Sequence, residues 1–135
     1  DIIYVTLETR PYTKETKEAE HKIRWRRTAE EILTDGYVYQ GKACTDRNLV
    51  FLAICRELGI EGKFVKMKGE RSVHSISEVK IGDIWYHFDP SYPKSSPVEG
   101  EIEPERVYDG RTLWAKGRDA WDLGLVEFDS IKKIK

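Results

Sequence analysis

The stretch GKACTDRNLVFLAICRELG, residues 41–59, decides the fold. Its apolar residues recur at the three- and four-residue spacing of a helix in two series, Leu49, Leu52 and Ala53 and then Phe51, Cys55 and Leu58. Gly59 is a natural C-terminal stop, so the pattern predicts a helix from about Cys44 or Thr45 to Leu58. Gly41-Lys42-Ala43 leads into it as a loop, and Cys44 therefore lies where a loop becomes a helix.

The residues before this helix predict one strand and further helix. Residues 2–7 are rich in β-branched side chains and predict an edge strand. Residues 13–32 are charged and contain no Pro or Gly, which favours a helix, with a break or a second short helix from Thr28 as the alternative. Thr28-Ala29-Glu30-Glu31 resembles a capping box, and Asp35-Gly36 ends the segment.

The residues after Gly59 predict strands. Short β-compatible runs cover residues 63–67, 72–80, 84–88 and 125–128. Residues 95–105 are rich in Pro, Gly, Ser and Glu and predict a loop. A helix followed by antiparallel strands indicates an α+β fold, in which the central helix packs on a small antiparallel sheet. We expect one domain over residues 1–135, with a core from about 28 to 93.

Composition and charge exclude several classes of protein. An apolar content of 39% is too high for a disordered chain. The net charge is −1, with 23 basic and 24 acidic residues, so we expect neither a nucleic acid nor a membrane as partner. No signal peptide is visible, which slightly favours a cytoplasmic location, and the start at Asp1 is compatible with a fragment of a longer protein. The oligomeric state is not predicted.

The cysteine and histidine spacing argues against disulfides and metals. Cys44 and Cys55 are eleven residues apart on one predicted helix, which separates them by roughly 16 Å. A disulfide needs Cα atoms within about 7 Å, so an internal bridge is excluded. Two cysteines and three scattered histidines match no zinc spacing, and we expect no structural metal.

The position of Cys44 favours a reactive thiol. A helix N-terminus carries unsatisfied N–H groups and roughly half a positive charge, which favour the thiolate. The thiolate, and not the thiol, is the nucleophile. Cys55 lies within the helix and is interpreted as a core residue.

A base and a carboxylate lie on consecutive predicted strands. His74 belongs to the strand 72–80 and Asp89 ends the next one. A two-residue loop at Ile81-Gly82, or a four-residue loop over 80–83, gives paired residue numbers that sum to 163, and His74 and Asp89 then lie directly opposite. A Gly82-Asp83 turn gives a sum of 165 and a diagonal pair on one face. A three-residue loop would put them on opposite faces.

Together Cys44, His74 and Asp89 form a thiol, a base and a carboxylate that holds the base. Asp89 would fix the tautomer of His74, and His74 would hold the Cys44 thiolate and protonate the leaving amine. His87 shares the strand parity of Asp89 but lacks a comparable partner. The backbone N–H of Cys44 is one candidate oxyanion donor. Gln40 is the candidate for the other, with Tyr39 and Trp25 behind it.

Three sequence blocks resemble the transglutaminase-like family, in the family's order of Cys, His and Asp. They are GKACTD at 41–46 with its apolar helix, VHSISEV at 73–79 and WYHFDPS at 85–91. AEEIL at 29–33 is similar to the family's helix before the cysteine. The likeness covers roughly residues 28–93. Two features depart from the family: glycine stands three residues before the cysteine instead of two, and Ser75-Ile76 replaces an aromatic soon after the histidine.

The resemblance implies a papain-like core and acyl transfer from a peptide or protein amide through a thioester on Cys44. Water as acceptor would make the chain a cysteine protease or amidase, and an amine would make it a transglutaminase. No cofactor is expected. Part of the family depends on calcium, but no dense acidic loop is present here. The alternative is a non-catalytic module of this fold that binds a peptide or cell-wall segment or scaffolds a partner. A thiol-redox protein is disfavoured because no C-x-x-C occurs.

Overall fold

Two short strands and two short helices precede the central helix. The computed structural model describes residues 7–92 and 95–134. The first elements are β1 (Glu8–Arg10), α1 (Lys17–Ile23), α2 (Ala29–Asp35) and β2 (Tyr37–Tyr39). β1 and β2 pair in parallel as a separate two-stranded sheet. The predicted strand at 2–7 lies outside the described residues except for Leu7.

The central helix and one antiparallel sheet follow. The helix is α3 (Cys44–Glu57). The sheet strands are β3 (Glu61–Lys68), β4 (Val73–Ile81), β5 (Ile84–Phe88), β6 (Val98–Glu99) and β7 (Thr112–Gly117). Their order across the sheet is β6-β5-β4-β3-β7, and every neighbouring pair is antiparallel. The α+β fold with a helix on an antiparallel sheet is confirmed.

Helix α3 is buried along most of its length. It packs on β3 and β4, and its first two turns are buried even at polar positions, because other elements cover its remaining sides. Leu49, Val50 and Leu52 enter the main hydrophobic core. Gly59, at φ 74°, adopts the left-handed conformation that ends the helix.

The charged segment before α3 forms two helices, as the alternative interpretation allowed. Trp25 interrupts it with a left-handed φ of 62°. Thr28 then caps α2: its side chain accepts from the Glu31 backbone N–H, and the Glu31 side chain accepts from the Thr28 backbone N–H. Gly36, at φ 77°, ends α2.

A two-residue turn sets the register of β4 and β5. Ile81 pairs with Ile84 across Gly82-Asp83, and Gly82 has a φ of 64°, which suits the first position of a tight hairpin turn. Paired residue numbers therefore sum to 165. Of the registers that the sequence left open, the protein adopts the one that places His74 and Asp89 diagonally on one face.

The C-terminal part differs from the sequence prediction. The predicted strand at 125–128 is wrong: two short 3-10 helices, Trp121–Leu123 and Phe128–Lys133, occupy this region. Leu125 between them is fully buried in the main core, as is Ile134, so packing rather than strand pairing satisfies these apolar residues. Strands β1, β2, β6 and β7 were not predicted. Within the described residues, no helix combines the length and apolarity needed to cross a membrane.

Candidate active site

Cys44 is the first residue of α3, and its helix start has no side-chain cap. The N-cap residue is Ala43, which has no side-chain oxygen to accept from the first-turn N–H groups. Those N–H groups and the positive end of the helix therefore lie beside the Cys44 side chain, which is half-buried. The loop before it is anchored by hydrogen bonds from Gln40 N–H to the Arg10 carbonyl (2.8 Å) and from Lys42 N–H to the Tyr39 carbonyl (3.1 Å).

A buried polar bridge joins the first turns of α3 to β4. It consists of Thr45, Asn48, Ser75 and Ser77, each at most 1% exposed. The Thr45 and Ser75 hydroxyl oxygens are 2.9 Å apart, and the Asn48 amide donates to the Ser75 carbonyl at 2.9 Å. Ser77 donates to the Asn48 side-chain oxygen at 2.5 Å. Because Thr45 follows Cys44 and Ser75 follows His74, this bridge fixes the distance between the thiol and the imidazole.

His74 and Asp89 are joined by a short hydrogen bond. Nε2 of His74 lies 2.6 Å from Oδ2 of Asp89, and the two side chains are 17% and 20% exposed. The other carboxylate oxygen accepts from the Ser91 backbone N–H at 2.9 Å. Nε2 is thus engaged, which leaves Nδ1 for the hydrogen bond with the Cys44 thiol. The structure therefore brings Cys44, His74 and Asp89 together in that order.

The surroundings lower the pKa values of Cys44 and Asp89 and raise the pKa of His74. Burial alone would raise the pKa of Cys44, but the hydrogen bond to His74 and the positive charges of Lys66 and His74 lower it to about 6. Burial opposes the charged form of His74, but the hydrogen bonds to Asp89 and Cys44 raise its pKa to about 9. Burial also opposes ionisation of Asp89, and His74 outweighs it and lowers the Asp89 pKa. The lowered Cys44 pKa and the raised His74 pKa both favour a thiolate–imidazolium pair over a neutral thiol and imidazole.

Lys66 is a site residue that sequence analysis missed. It is fully buried on β3, and its ammonium donates to Ser75 Oγ at 3.0 Å and to Thr45 Oγ1 at 3.3 Å. The Nζ atom also lies 4.4 Å from the centre of the Trp25 ring. Burial lowers its pKa to about 8, while the nearby Cys44 thiolate opposes that decrease. At neutral pH Lys66 is thus a second positive charge beside the sulfur.

A cavity of about 420 Å³ opens over Cys44 and His74. Gln40, Tyr39 and Trp25, the three oxyanion candidates from the sequence, all line it. Gln40 is exposed, whereas Tyr39 and Trp25 are 7% and 4% exposed. Which of them donates to a substrate oxygen stays a prediction.

A buried ion pair tethers the start of α3 from the opposite side. Arg27 donates to Asp46 at 2.8 Å, to Asp35 at 3.1 Å and to the Tyr37 carbonyl at 3.1 Å. Burial raises the pKa of Asp46 to about 6 despite the Arg27 charge, and the Cys44 thiolate adds to the increase. The sequence identified Asp46 only as part of a motif, and Arg27 only as part of the charged segment over residues 13–32.

The two alternative residues lie in other surroundings. Cys55 is 5% exposed, and burial raises its pKa, which disfavours a thiolate there. Nδ1 of His87 lies 3.0 Å from the Gly100 carbonyl oxygen, and its ring packs edge-on to Tyr108. Both cysteines are free. Among the described residues, no group of three or more His, Cys, Asp or Glu side chains is placed to hold a metal ion.

Comparison with known proteins assigns the family. The model of the transglutaminase-like superfamily matches residues 3–90, about two thirds of the chain. The chain belongs to the transglutaminase-like superfamily. The matched region contains Cys44, His74 and Asp89 and all of the three blocks except Ser91, the last residue of the third. A search among curated proteins found no match.

A solved structure shows the fold of this transglutaminase-like chain. It is a proposed cysteine protease from Cytophaga hutchinsonii, with a TM-score of 0.58 and 22% sequence identity. The match covers 93% of the present chain but 36% of the other, so the present chain spans about a third of that protein's length. At this identity the likeness concerns the fold.

One sequence signal could have found Lys66. It interrupts the apolar run Phe64-Val65-Lys66-Met67, in which all four residues are buried. A lysine inside such a run is rarely buried without a partner or a role. The sequence gives a weaker indication of the polar bridge, because Thr45, Ser75 and Ser77 are residue types that are equally compatible with exposed positions.

Proposed function

We propose that this domain catalyses thiol-dependent acyl transfer on amide bonds through a thioester on Cys44, with His74 as acid and base and Asp89 as its orienting partner. The observation that carries the proposal is the position of His74 between the other two. One ring nitrogen is held at 2.6 Å by Asp89, and the other is left for the thiol. An acyl donor would enter the cavity above Cys44 and need no cofactor for this chemistry.

The first step forms the thioester. The Cys44 thiolate attacks the amide carbonyl carbon, and the carbonyl oxygen becomes negative. In this proposal the N–H groups at the start of α3 stabilise this oxygen, together with the positive charge of Lys66. The His74 imidazolium then gives its Nδ1 proton to the leaving nitrogen, and the C–N bond breaks. The amine leaves, and His74 is neutral.

The second step regenerates the thiolate. Water or an amine attacks the thioester carbonyl, and neutral His74 takes the proton from the attacking group. The C–S bond breaks, the acyl group leaves as an acid or a new amide, and the thiolate and imidazolium are restored. Water makes the reaction hydrolysis by a protease or amidase, whereas an amine makes it transamidation. The same residues serve both outcomes.

An activated ester tests this proposal without a known substrate. The protein is mixed with p-nitrophenyl acetate, and intact mass and peptide mapping locate the acetyl group. We expect a burst of p-nitrophenol and an acetyl group on Cys44 that neutral hydroxylamine removes. Adding methylamine then measures the partition between hydrolysis and amide formation.

Matched variants make the outcome decisive. Cys44→Ser should lose the burst, whereas Cys55→Ser should keep it. A folded protein with no acetyl group on Cys44 would overturn the enzymatic proposal and leave the binding-module alternative. Far-UV circular dichroism checks that each variant is folded.

A further inference from the structure

The walls of the cavity over Cys44 are cationic. Six lysine and arginine side chains line it, and none of the described lining residues is Asp or Glu; the cations are Arg24, Lys42, Arg47, Lys66, Arg71 and Arg111. The chain as a whole carries 23 basic and 24 acidic residues, so composition does not explain this excess. The charge belongs to the cavity and not to the whole surface.

Part of this charge is neutralised within the protein and part is not. Arg24 forms a two-fold ion pair with Glu20, at 2.5 and 2.7 Å. By contrast, no carboxylate in residues 7–92 and 95–134 lies within 4.0 Å of the Lys42, Lys66 or Arg71 side-chain nitrogens. The Lys42 ammonium lies 4.9 Å from the centre of the Tyr12 ring.

Position divides the cations into a floor and a rim. Lys66 is fully buried beneath Cys44 and His74, so it contributes to the electric field and not to direct contact with a large ligand. Lys42 and Arg71 are exposed, in the loop before α3 and in the turn before β4. Arg111 stands beside that turn, where it donates to Ser72 Oγ at 3.0 Å. Its only described carboxylate partner is Asp109, at 3.6 Å and 90% exposed.

We propose that the acyl donor of this site carries a carboxylate close to the amide that is attacked, and that Lys42, Arg71 and Arg111 bind it at the rim of the cavity. A carboxylate is the anionic group that unmodified peptides contain. The planar guanidinium group of arginine can bind it through two parallel hydrogen bonds. The inference rests on the proposed function, because it assumes that the cavity holds the acyl donor. The carboxylate comes either from an acidic side chain or from the main-chain end of a peptide.

Two alkylating reagents of similar size but different charge test the electric field at Cys44. Iodoacetate is an anion and iodoacetamide is neutral, and each reports the same sulfur. The rate constant for iodoacetate is divided by that for iodoacetamide at pH 7, and this ratio is normalised by the same ratio for glutathione. The normalised ratio should be about 10 or more in low salt. It should fall as sodium chloride is raised towards about 1 M, where the screening length is only about 3 Å.

Variants at the cavity rim distinguish the effect of the proposed binding groups on an anionic reagent from the intrinsic reactivity of the Cys44 thiolate. Lys42→Gln and Arg71→Gln should each lower the normalised ratio about two- to tenfold, with little change in the iodoacetamide rate. Lys68→Gln removes an exposed lysine of β3 that does not line the cavity, and it should leave the ratio unchanged. An unchanged ratio in both rim variants would overturn the inference while the proposed function stands. Failure of iodoacetamide to label Cys44 would overturn the proposed function and the inference with it.

Three small amides identify the source of the carboxylate. N-acetylglutamic acid α-amide carries only a side-chain carboxylate, N-acetylglutamine only a main-chain carboxylate, and N-acetylglutamine α-amide neither. We expect one of the two anions to protect Cys44 from iodoacetamide at concentrations where the neutral amide does not. That protection should weaken in the Lys42→Gln/Arg71→Gln double variant. Equal protection by all three compounds would contradict the inference.

Discussion

Nε2 of His74 lies 2.6 Å from Oδ2 of Asp89, although the two residues are not paired directly across β4 and β5. The turn at Gly82-Asp83 offsets them by one diagonal step. The Ser91 N–H, which holds the second carboxylate oxygen, keeps Asp89 turned towards the imidazole. A diagonal pair on one face is therefore close enough for a short hydrogen bond, and it leaves Nδ1 of His74 for the interaction with Cys44.

The pH dependence of Cys44 alkylation should show the thiolate–imidazolium pair. In the unchanged protein, the iodoacetamide rate should rise through an inflection near the Cys44 pKa of about 6. His74→Ala removes the hydrogen bond and a positive charge, so the inflection should move to higher pH. Cys44→Ser controls for labelling at Cys55. An unchanged profile in folded His74→Ala would mean that no ion pair exists.

Asp89→Asn should weaken the base without removing it. The His74 pKa of about 9 depends on the Asp89 carboxylate, so it should fall in this variant, as measured by imidazole proton NMR titration. If turnover of an activated ester falls about 10²–10⁴-fold in His74→Ala, the loss in Asp89→Asn should be smaller. His87→Ala is the matched control on β5 and should leave both quantities unchanged. Equal losses in the aspartate and histidine variants would argue against an orienting role.

Lys66→Met should make the Cys44 thiol less reactive without lowering the free energy of unfolding. The positive charge of Lys66 lowers the Cys44 pKa, so its removal should raise the pH of the alkylation inflection. The free energy of unfolding should hold or increase, because an apolar side chain of similar length avoids burying a charge and Thr45 and Ser75 can still bond each other. Lys68→Met, on the same strand but exposed, is the control. Lower stability with an unshifted inflection would make Lys66 a purely structural residue.

Asn48→Ala should destabilise the protein through the polar bridge. It leaves the Ser77 hydroxyl and the Ser75 carbonyl without their buried partner, which should lower the free energy of unfolding by about 2–3 kcal/mol. Glu57→Ala, an exposed position on the same helix, should change it by less than about 0.5 kcal/mol. Urea unfolding of both variants measures the difference. Equal stability of the two would show that the bridge does not hold α3 to β4.

Cys55→Ser should retain the reactive thiol. Cys55 is buried and its pKa is raised, so it contributes little thiolate at neutral pH. The iodoacetamide profile should match that of the unchanged protein, with at most a small loss of stability from the buried hydroxyl. Loss of labelling in the folded variant would identify Cys55 as the nucleophile instead.

Local signals in the sequence predicted the elements that carry Cys44, His74 and Asp89. Helical spacing and Gly59 defined α3 to within a residue at each end, and the Thr28 capping box placed α2. The turn glycine at 82 restricted the β4–β5 register to a few choices. Each of these features depends on residues close together in the chain, which is why a single sequence contains them.

Features that depend on distant residues were not predicted. β7 forms by pairing with β3, from Phe64 opposite Gly117 to Lys68 opposite Thr112, and the register of this pairing shifts between Lys66 and Met67. Leu125–Phe128 has strand-like composition, yet Leu125 packs into the core and the residues after it form a 3-10 helix. The role of Lys66 depends on Thr45 and Ser75, from α3 and β4, and no spacing along the chain encodes that meeting.

The contact between Trp25 and Lys66 gives the site an optical reporter of its own. The indole is 4% exposed and lies 4.4 Å from an ammonium whose surroundings include the thiolate. When Cys44 is acylated, the negative charge on sulfur disappears and the field across this ring changes. Trp25 is one of four tryptophans, so subtracting the spectrum of a Trp25→Phe variant isolates its emission. Fluorescence during a single turnover would then follow the filling and emptying of the thioester in real time.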